Sequence, residues 1–124
     1  MNGIITAQQV FFFPDSPLGA LPESLRVVSA RNGKAGIQIL FSCDAPRGSV
    51  RLGADGFDTQ LFEMIAVPVE YNTGNGVDQG GAMVILTDHC PDYAVRRAPF
   101  DVYDCLRPLG SDQVPAHDCR ISAY

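Results

Sequence analysis

Histidine and cysteine occur next to each other or one residue apart at two places in the chain, and these side chains can serve zinc or thiol chemistry. The two tripeptides are Asp88-His89-Cys90 and His117-Asp118-Cys119. Structural zinc sites usually place two ligands two to four residues apart, so that one turn presents both. Adjacent His89 and Cys90 would point to opposite faces of a strand, whereas the histidine and cysteine of the second tripeptide would share one. The pattern favours surface histidines and buried or loop cysteines over a zinc site.

The cysteines are scattered singly, without a CxxC pair, at Cys43, Cys90, Cys105 and Cys119. An even number permits two disulfides in a secreted protein, in any of three pairings. In a chain large enough to form a core, such cysteines are more often small, buried, reduced side chains. We therefore expect thiols, and the pairing stays open. None of the four has the sequence context of a known cysteine hydrolase, so we predict no cysteine nucleophile.

Acidic residues are plentiful, with Asp and Glu together numbering 14. Two carboxylates are the minimum for glycoside hydrolysis, but aspartate in turns is usually a backbone-bonding residue. The glycine-rich stretches Gly74-Asn75-Gly76 and Gly80-Gly81 precede neither a lysine nor a helix start, so they indicate turns and not phosphate loops. The sequence therefore predicts no catalytic residue, no metal site and no cofactor.

The charge balance excludes one class of partner. The formal net charge is −5, and the only adjacent basic pair is Arg96-Arg97. Nucleic-acid binding by phosphate neutralisation needs a basic patch or stripe, so we expect no nucleic-acid partner. No apolar run approaches the roughly 18 residues of a membrane-spanning helix. The N-terminus lacks the basic region of a secretory signal, so we expect either a cytoplasmic protein without membrane contact or a chain that has lost its signal.

Strand patterns dominate the 124 residues. Short β-branched or alternating runs are separated by Gly, Pro, Asn and Asp, and no long window has helical periodicity. This is typical of an antiparallel sandwich. We predict an all-β antiparallel β-sandwich of about seven to nine strands, forming a single domain over residues 1–124. The predicted strands cover residues 24–29, 36–43, 48–53, 61–72, 81–86, 100–103 and 119–124.

Turn residues refine this prediction at three points. Asn32-Gly33 supplies the positive φ of a tight turn, which predicts a hairpin joining the first two strands. Pro68 has no N–H to donate, so its strand should lie at an edge or contain a bulge nearby. Residues 72–76 have the composition of a turn.

Aromatic residues provide the candidate contact surface. In Phe11-Phe12-Phe13 we expect the outer rings to pack into the core and the middle ring to meet water or a neighbouring domain. The four tyrosines include candidates for stacking on a sugar, at Tyr71, Tyr93, Tyr103 and Tyr124. The chain has no tryptophan, which weakens the hypothesis of a carbohydrate-binding module without excluding it.

Three motifs in this order resemble a known family. They are Val10-Phe11-Phe12-Phe13-Pro14-Asp15, then Ala30-Arg31-Asn32-Gly33 leading into a strand with Gln38, then Tyr103-Asp104-Cys105-Leu106-Arg107-Pro108-Leu109. The order resembles the N-terminal β-sandwich of bacterial glycoside-hydrolase-like proteins, in which a large α/β barrel follows. Gly33 stands where that family usually has Glu, and Cys105 where it usually has Pro.

The resemblance implies a non-catalytic accessory domain of a glycoside hydrolase, whose catalytic carboxylates would lie in the barrel. The chain would then be part of a longer protein, with its own C-terminal barrel as partner. In this family pattern Asp104 and Arg107 lie towards the barrel, which makes them candidates for an interdomain or ligand contact. The alternative is a stand-alone sandwich that binds carbohydrate or another protein.

Overall fold

The computed structural model describes residues 2–8, 10–44, 48–75, 84–87 and 94–124, and these contain nine strands and no helix. The chain is an all-β protein of antiparallel sheets, as the sequence predicts. In chain order the strands are β1 (Gly3–Thr6), β2 (Gln38–Ser42), β3 (Ser49–Arg51), β4 (Phe62–Val69), β5 (Asn72–Asn75), β6 (Val84–Thr87), β7 (Phe100–Pro108), β8 (Gln113–Pro115) and β9 (Arg120–Ala123).

The main sheet has five strands in the order β1-β2-β9-β4-β7. Its neighbours are mostly far apart in the chain: Leu40 of β2 lies opposite Ser122 of β9, and Glu63 of β4 lies opposite Ala123. Strands β3 and β8 form a separate two-stranded ribbon, and β5 and β6 form a second. The last residues of the sequence therefore lie in the centre of the main sheet.

Both faces of the main sheet are covered. On one face Phe41, Ile121 and Ala123 pack against Val114 of the β3–β8 ribbon. On the other face Leu40 and Met64 pack against Phe12, which reaches the sheet from the segment after β1. Side chains alternate between the two faces along a strand, so consecutive residues such as Leu40 and Phe41 contribute to different halves of the core.

A two-residue turn joins the ribbon to the main sheet. His117 and Arg120 exchange both backbone hydrogen bonds, each 2.7 Å long. Between them Asp118 has φ 48° and Cys119 has φ 61°. Two successive positive φ angles define a type I′ turn, whose twist matches that of the strands it joins. A sequence with Asp-Gly here would be a clear hairpin signal, but Asp-Cys is not one, and β8 is absent from the sequence prediction.

Strand β7 forms one edge of the main sheet and is irregular. Ile65 lies opposite Cys105, and the next residue of β4, Ala66, lies opposite Tyr103. Asp104 is therefore an extra residue without a partner on β4, which is a β-bulge. The sequence predicts an edge or a bulge in the strand of Pro68, but that strand, β4, lies between β9 and β7, and the extra residue belongs to β7. The outer side of β7 is partly occupied, because the Tyr103 N–H donates to the Phe12 carbonyl over 2.9 Å.

The predicted strand at residues 24–29 and its hairpin are wrong. A tight turn is present, with Asn32 at φ 62° and the Gly33 N–H donating to the Ala30 carbonyl over 2.8 Å. The chain before this turn has no regular structure, however, and residues 22–35 are all exposed. Strand β2 pairs with β1 and β9 instead. A turn signal fixes a local reversal of the chain, but it does not decide which strands pair.

Other boundaries also differ from prediction. Residues 72–75, predicted as a turn, form β5, and β1 is a further strand that the sequence pattern misses. The order of the phenylalanine rings is the reverse of that expected, because Phe12 is 5% exposed and Phe11 is 63% exposed. The part of the predicted strand at residues 81–83 lies outside the described residues.

Candidate functional site

An open groove of about 400 Å³ lies on the face of the main sheet that Phe12 covers. We call this surface the groove. Its lining combines aromatic, aliphatic and polar side chains, chiefly Phe11, Gln38, Tyr103, Asp104, Leu106 and Tyr124. Concave sites that combine apolar surface with a few polar groups are the usual form of ligand sites.

Strand β2 and the segment after β1 form one wall of the groove. Gln38 begins β2, and its side-chain Oε1 accepts a hydrogen bond from the Val10 N–H over 3.1 Å. This bond holds the segment against the sheet, so that Phe11 projects at the rim while Phe12 is buried. The Gln38 carbonyl oxygen is used internally, which leaves the amide N–H groups as donors towards the groove.

The ring of Tyr124 forms the next wall of the groove. Its position is determined by backbone hydrogen bonds to β4 and by the absence of a side chain at Gly36. Tyr124 and Phe62 exchange both backbone hydrogen bonds, at 2.9 and 3.0 Å. Their rings lie 6.3 Å apart. A Cβ atom at Gly36 would lie 2.0 Å from the Tyr124 hydroxyl oxygen, so only glycine permits this position of the ring.

Tyr103 places a phenol beside the bulge. Burial raises the pKa of the Tyr103 hydroxyl above its usual value, and its hydrogen bond with Ser122 opposes that rise. The raised pKa favours the neutral phenol, a group that can both donate and accept hydrogen bonds.

The two predicted contact residues do not lie together. Asp104 is exposed in the bulge and lines the groove beside Leu106. Arg107 lies opposite Glu63 and turns towards that carboxylate, on the face that the β3–β8 ribbon covers. The contact hypothesis for Asp104 therefore concerns the groove, whereas the structure places Arg107 in a different cluster.

That cluster is centred on Glu63, whose side chain is 1% exposed. Its Oε2 accepts the Arg107 Nε–H over 2.8 Å and forms a second bond with Nη2 of the same guanidinium. Its Oε1 lies 2.5 Å from Nε2 of His117. Both carboxylate oxygens are thus occupied by side chains that are more than half exposed, Arg107 at 56% and His117 at 64%. This closed arrangement satisfies a buried charge and leaves no oxygen for general acid–base chemistry.

A second polar cluster, formed by Arg96 and Asp15, fixes the loop after Phe12. Arg96 forms a bidentate ion pair with Asp15, and its guanidinium lies over the rings of Phe13 and Phe100, 4.8 and 5.8 Å from the ring centroids. The hydrogen bonds from Arg96 hold the pKa of the Asp15 carboxyl below its usual value. The cluster ties the loop to the start of β7.

The described cysteines and histidine form no zinc site. His117 and Cys119 occupy a turn instead of one face of a strand, and His89 and Cys90 lie outside the described residues. In the described part of the chain no group of three or more His, Cys, Asp or Glu side chains can hold a metal ion. Nor do the described residues include a helix long and apolar enough to cross a membrane.

The sequence identified some of the groove residues and missed others. Tyr103, Tyr124 and Asp104 were candidates, and they meet in the groove. Tyr71 is exposed elsewhere, and Tyr93 lies outside the described residues. Gln38 belongs to one of the motifs that resemble glycoside-hydrolase-like proteins, but the sequence predicts no ligand contact for it. Nothing in the sequence around Leu106 predicts that this residue lines a groove.

Comparison of the chain with protein-family models, with curated proteins and with solved structures finds no match.

Proposed function

We propose that the chain is a non-catalytic accessory β-sandwich of a glycoside-hydrolase-like protein and that its groove binds carbohydrate. The lining of the groove carries this proposal. Sugars present apolar C–H faces and many hydroxyl groups, and they need aromatic faces together with hydrogen-bonding groups. The groove contains three aromatic rings, those of Phe11, Tyr103 and Tyr124. The side-chain amide of Gln38 provides a hydrogen-bond donor, and the carboxylate of Asp104 provides an acceptor.

The Glu63 cluster supports the non-catalytic part of the proposal. A glycosidase needs two carboxyl groups that reach the scissile bond from opposite sides. Glu63 is buried, and its two carboxylate oxygens are each occupied, Oε2 by Arg107 and Oε1 by His117. Among the described residues, Asp104 is the one carboxylate that lines the groove. The described residues therefore offer a surface for holding a sugar but no pair for cleaving one.

Carbohydrate binding can be tested by titrating the ¹⁵N-labelled chain with neutral oligosaccharides while recording NMR spectra. We expect saturable shift changes confined to the groove. Phe11→Ala and Asp104→Asn should each weaken binding by about tenfold, equivalent to ~1.4 kcal/mol. The matched controls are Phe57→Ala and Asp101→Asn, which change exposed residues of the same type outside the groove lining. Equal losses in variants and controls, or no shift changes with any sugar, would contradict carbohydrate binding.

A second candidate is docking of a protein domain, such as the α/β barrel of a glycoside-hydrolase-like protein. Three apolar side chains around the groove favour it, because Val10, Phe11 and Leu106 are 39%, 63% and 46% exposed. Exposed apolar groups that lie together are typical of interaction surfaces. If sugars do not bind, adding a barrel domain in trans should give a complex on size-exclusion chromatography that Phe11→Asp abolishes.

Catalysis by this chain is tested by release of the aglycone from a panel of aryl glycosides. We expect none. Hydrolysis that Glu63→Gln abolishes, and that the matched exposed variant Glu70→Gln retains, would overturn the non-catalytic assignment.

A further inference from the structure

The groove carries charge of one sign. Among the described residues that line it, Asp104 is the one charged side chain, and none is a lysine, an arginine or a histidine. The remaining lining is aromatic, aliphatic, thioether or amide. A ligand that enters the groove therefore meets a negative charge without a cation beside it.

Asp104 differs in this respect from other carboxylates of the protein. Asp15 and Glu63 each accept hydrogen bonds from an arginine. Within the described residues no basic side chain forms an ion pair with Asp104, which is exposed. The β-bulge sets its place, because Asp104 is the extra residue of β7. Its carboxylate is therefore open to a cation from solution, and a hydrogen bond between two charged groups is stronger than one between neutral groups.

The aromatic rings of the groove attract the same kind of ligand. Phe11 is 63% exposed at the rim, and Tyr103 and Tyr124 also line the groove. The face of an aromatic ring is negative and attracts a cation that lies within about 6 Å of the ring centroid. The protein already makes one such contact internally, between Arg96 and the ring of Phe13 at 4.8 Å. The rings and the carboxylate thus both favour a positively charged group.

From this lining we propose that the groove prefers amino sugars, whose free amine is protonated, over neutral and acidic sugars. This inference rests on the proposed carbohydrate-binding function of the groove. The ammonium group would pair with Asp104, the C–H face of the sugar would lie on an aromatic ring, and the Gln38 amide would donate to a hydroxyl group. An acetylated amine is neutral and loses the first contact. A uronate would be repelled by Asp104 and has no basic partner in the described lining.

The experiment is isothermal titration calorimetry of the full chain with three oligosaccharides of equal length. They are an oligomer of glucosamine, the same oligomer with its amines acetylated, and an oligomer of galacturonate, at a mildly acidic pH that keeps the amine protonated. We expect the glucosamine oligomer to bind about tenfold more tightly than the acetylated one, because an exposed ion pair and a cation–π contact each contribute up to about fivefold. Galacturonate should bind most weakly. Added salt should reduce the preference for the amine, because it screens exposed charges.

Two variants assign the preference to one carboxylate. In Asp104→Asn the ratio of the affinities for the glucosamine oligomer and its acetylated form should fall close to one. Asp101→Asn is the matched control, because Asp101 is an exposed aspartate of the same strand that lies outside the groove lining. It should retain the wild-type ratio, since it leaves the charge in the groove unchanged.

Four results would overturn the proposal. Equal affinity for the glucosamine oligomer and its acetylated form would remove the preference and leave carbohydrate binding itself intact. A preference that survives in Asp104→Asn would place the ammonium group elsewhere. A trilysine peptide that binds as tightly as the glucosamine oligomer would show that positive charge alone is sufficient. Binding of none of the three sugars would overturn both this preference and the proposed function on which it rests.

Discussion

Glu63 is the residue with the least freedom to change, because it is charged and 1% exposed. Its carboxylate is stabilised by Arg107 and His117, two side chains that reach it from the solvent side. Without the carboxylate, the exposed guanidinium and imidazole can still form hydrogen bonds with water. Without its partners, the buried carboxylate has no other group to bond. Removing a partner therefore costs more than removing the buried charge itself.

This asymmetry gives a prediction for the Glu63 cluster. Arg107→Ala should destabilise the fold by about 2–3 kcal/mol, since it leaves a buried carboxylate with one partner. Glu63→Gln should cost less, and adding Glu63→Gln to Arg107→Ala should restore part of the loss. Urea unfolding followed by circular dichroism measures all three free energies. A double variant less stable than Arg107→Ala alone would contradict this account.

Cys119 is the second residue whose local conformation makes a prediction. Its φ of 61° lies in the left-handed region that favours glycine, and it follows Asp118 in a type I′ turn. Under reducing conditions Cys119→Gly should stabilise the protein by about 1 kcal/mol, because it relieves the strain of a side chain at positive φ. Thermal unfolding measures the stability of Cys119→Gly and of the comparison variant Cys105→Gly. Cys105→Gly places a glycine inside β7 and should lower the melting temperature.

At the scale of elements, short loops are fixed to strands by single side chains. Gln38 holds the segment containing Val10, and Arg96 holds the loop containing Asp15 to the start of β7. The same segments place Phe11 at the rim of the groove and Phe12 beneath it. The shape of the groove therefore depends on loop attachments as much as on the strands.

The Arg96 attachment can be measured as a titration. Arg96→Gln should raise the pKa of the Asp15 carboxyl towards its ordinary value of 3.8, because the hydrogen bonds that favour the carboxylate are lost. A pKa lowered by folding means that the stability contribution is present above the unfolded-state pKa and is lost as the pH falls through the folded-state value. Carboxyl ¹³C NMR reports the pKa directly. Arg26→Gln, at an exposed residue of the irregular segment, should leave it unchanged.

A substitution at Gly36 tests whether this glycine determines the position of the Tyr124 ring in the groove. Gly36→Ala brings a methyl group within 2.0 Å of the Tyr124 hydroxyl oxygen, so the ring must swing out of place. We expect a stability loss of about 1 kcal/mol and altered tyrosine fluorescence. Gly53→Ala is the matched control, because a Cβ atom there meets nothing within 4 Å. Normal fluorescence and stability in Gly36→Ala would show that the ring does not depend on this glycine.

At the scale of the whole molecule, the described fold combines a central sheet covered on both faces with a long exposed segment, residues 22–35. Strands β2, β9 and β4 lie in the middle of the main sheet with both faces covered. Residues 22–35 are all exposed and contain no strand. Opening of local structure should therefore be easiest in this segment.

Limited proteolysis tests that contrast. Trypsin should cut the native protein first after Arg26, Arg31 or Lys34, all of them in the exposed segment. Arg120 should resist, because it is in β9 and its Nη1 donates to the Ser16 carbonyl over 2.8 Å. Mass spectrometry of early fragments identifies the sites. Initial cleavage after Arg120 would show that the centre of the sheet opens more easily than residues 22–35.

The sequence by itself determined the all-β class and the central parts of several strands, because alternation and β-branched residues are local properties. Strands β2, β4 and β9 fall within predicted segments, and Asn32 does occupy a tight turn. Alternation does not choose a strand's partner, however, which is why residues 24–29 were wrongly predicted to pair with the next strand. Nor does it decide which phenylalanine of three is buried.

Only the tertiary structure decided the contacts made across the sheet. The partners of Glu63 come from β7 and from the turn before β9, and the groove collects residues from both ends of the chain. Cys43 meets Cys119 only because β2 pairs with β9. Such contacts join residues separated by dozens of positions, and no local pattern specifies them. They arise when strands find the arrangement that covers both faces of one sheet and gives a buried carboxylate its partners.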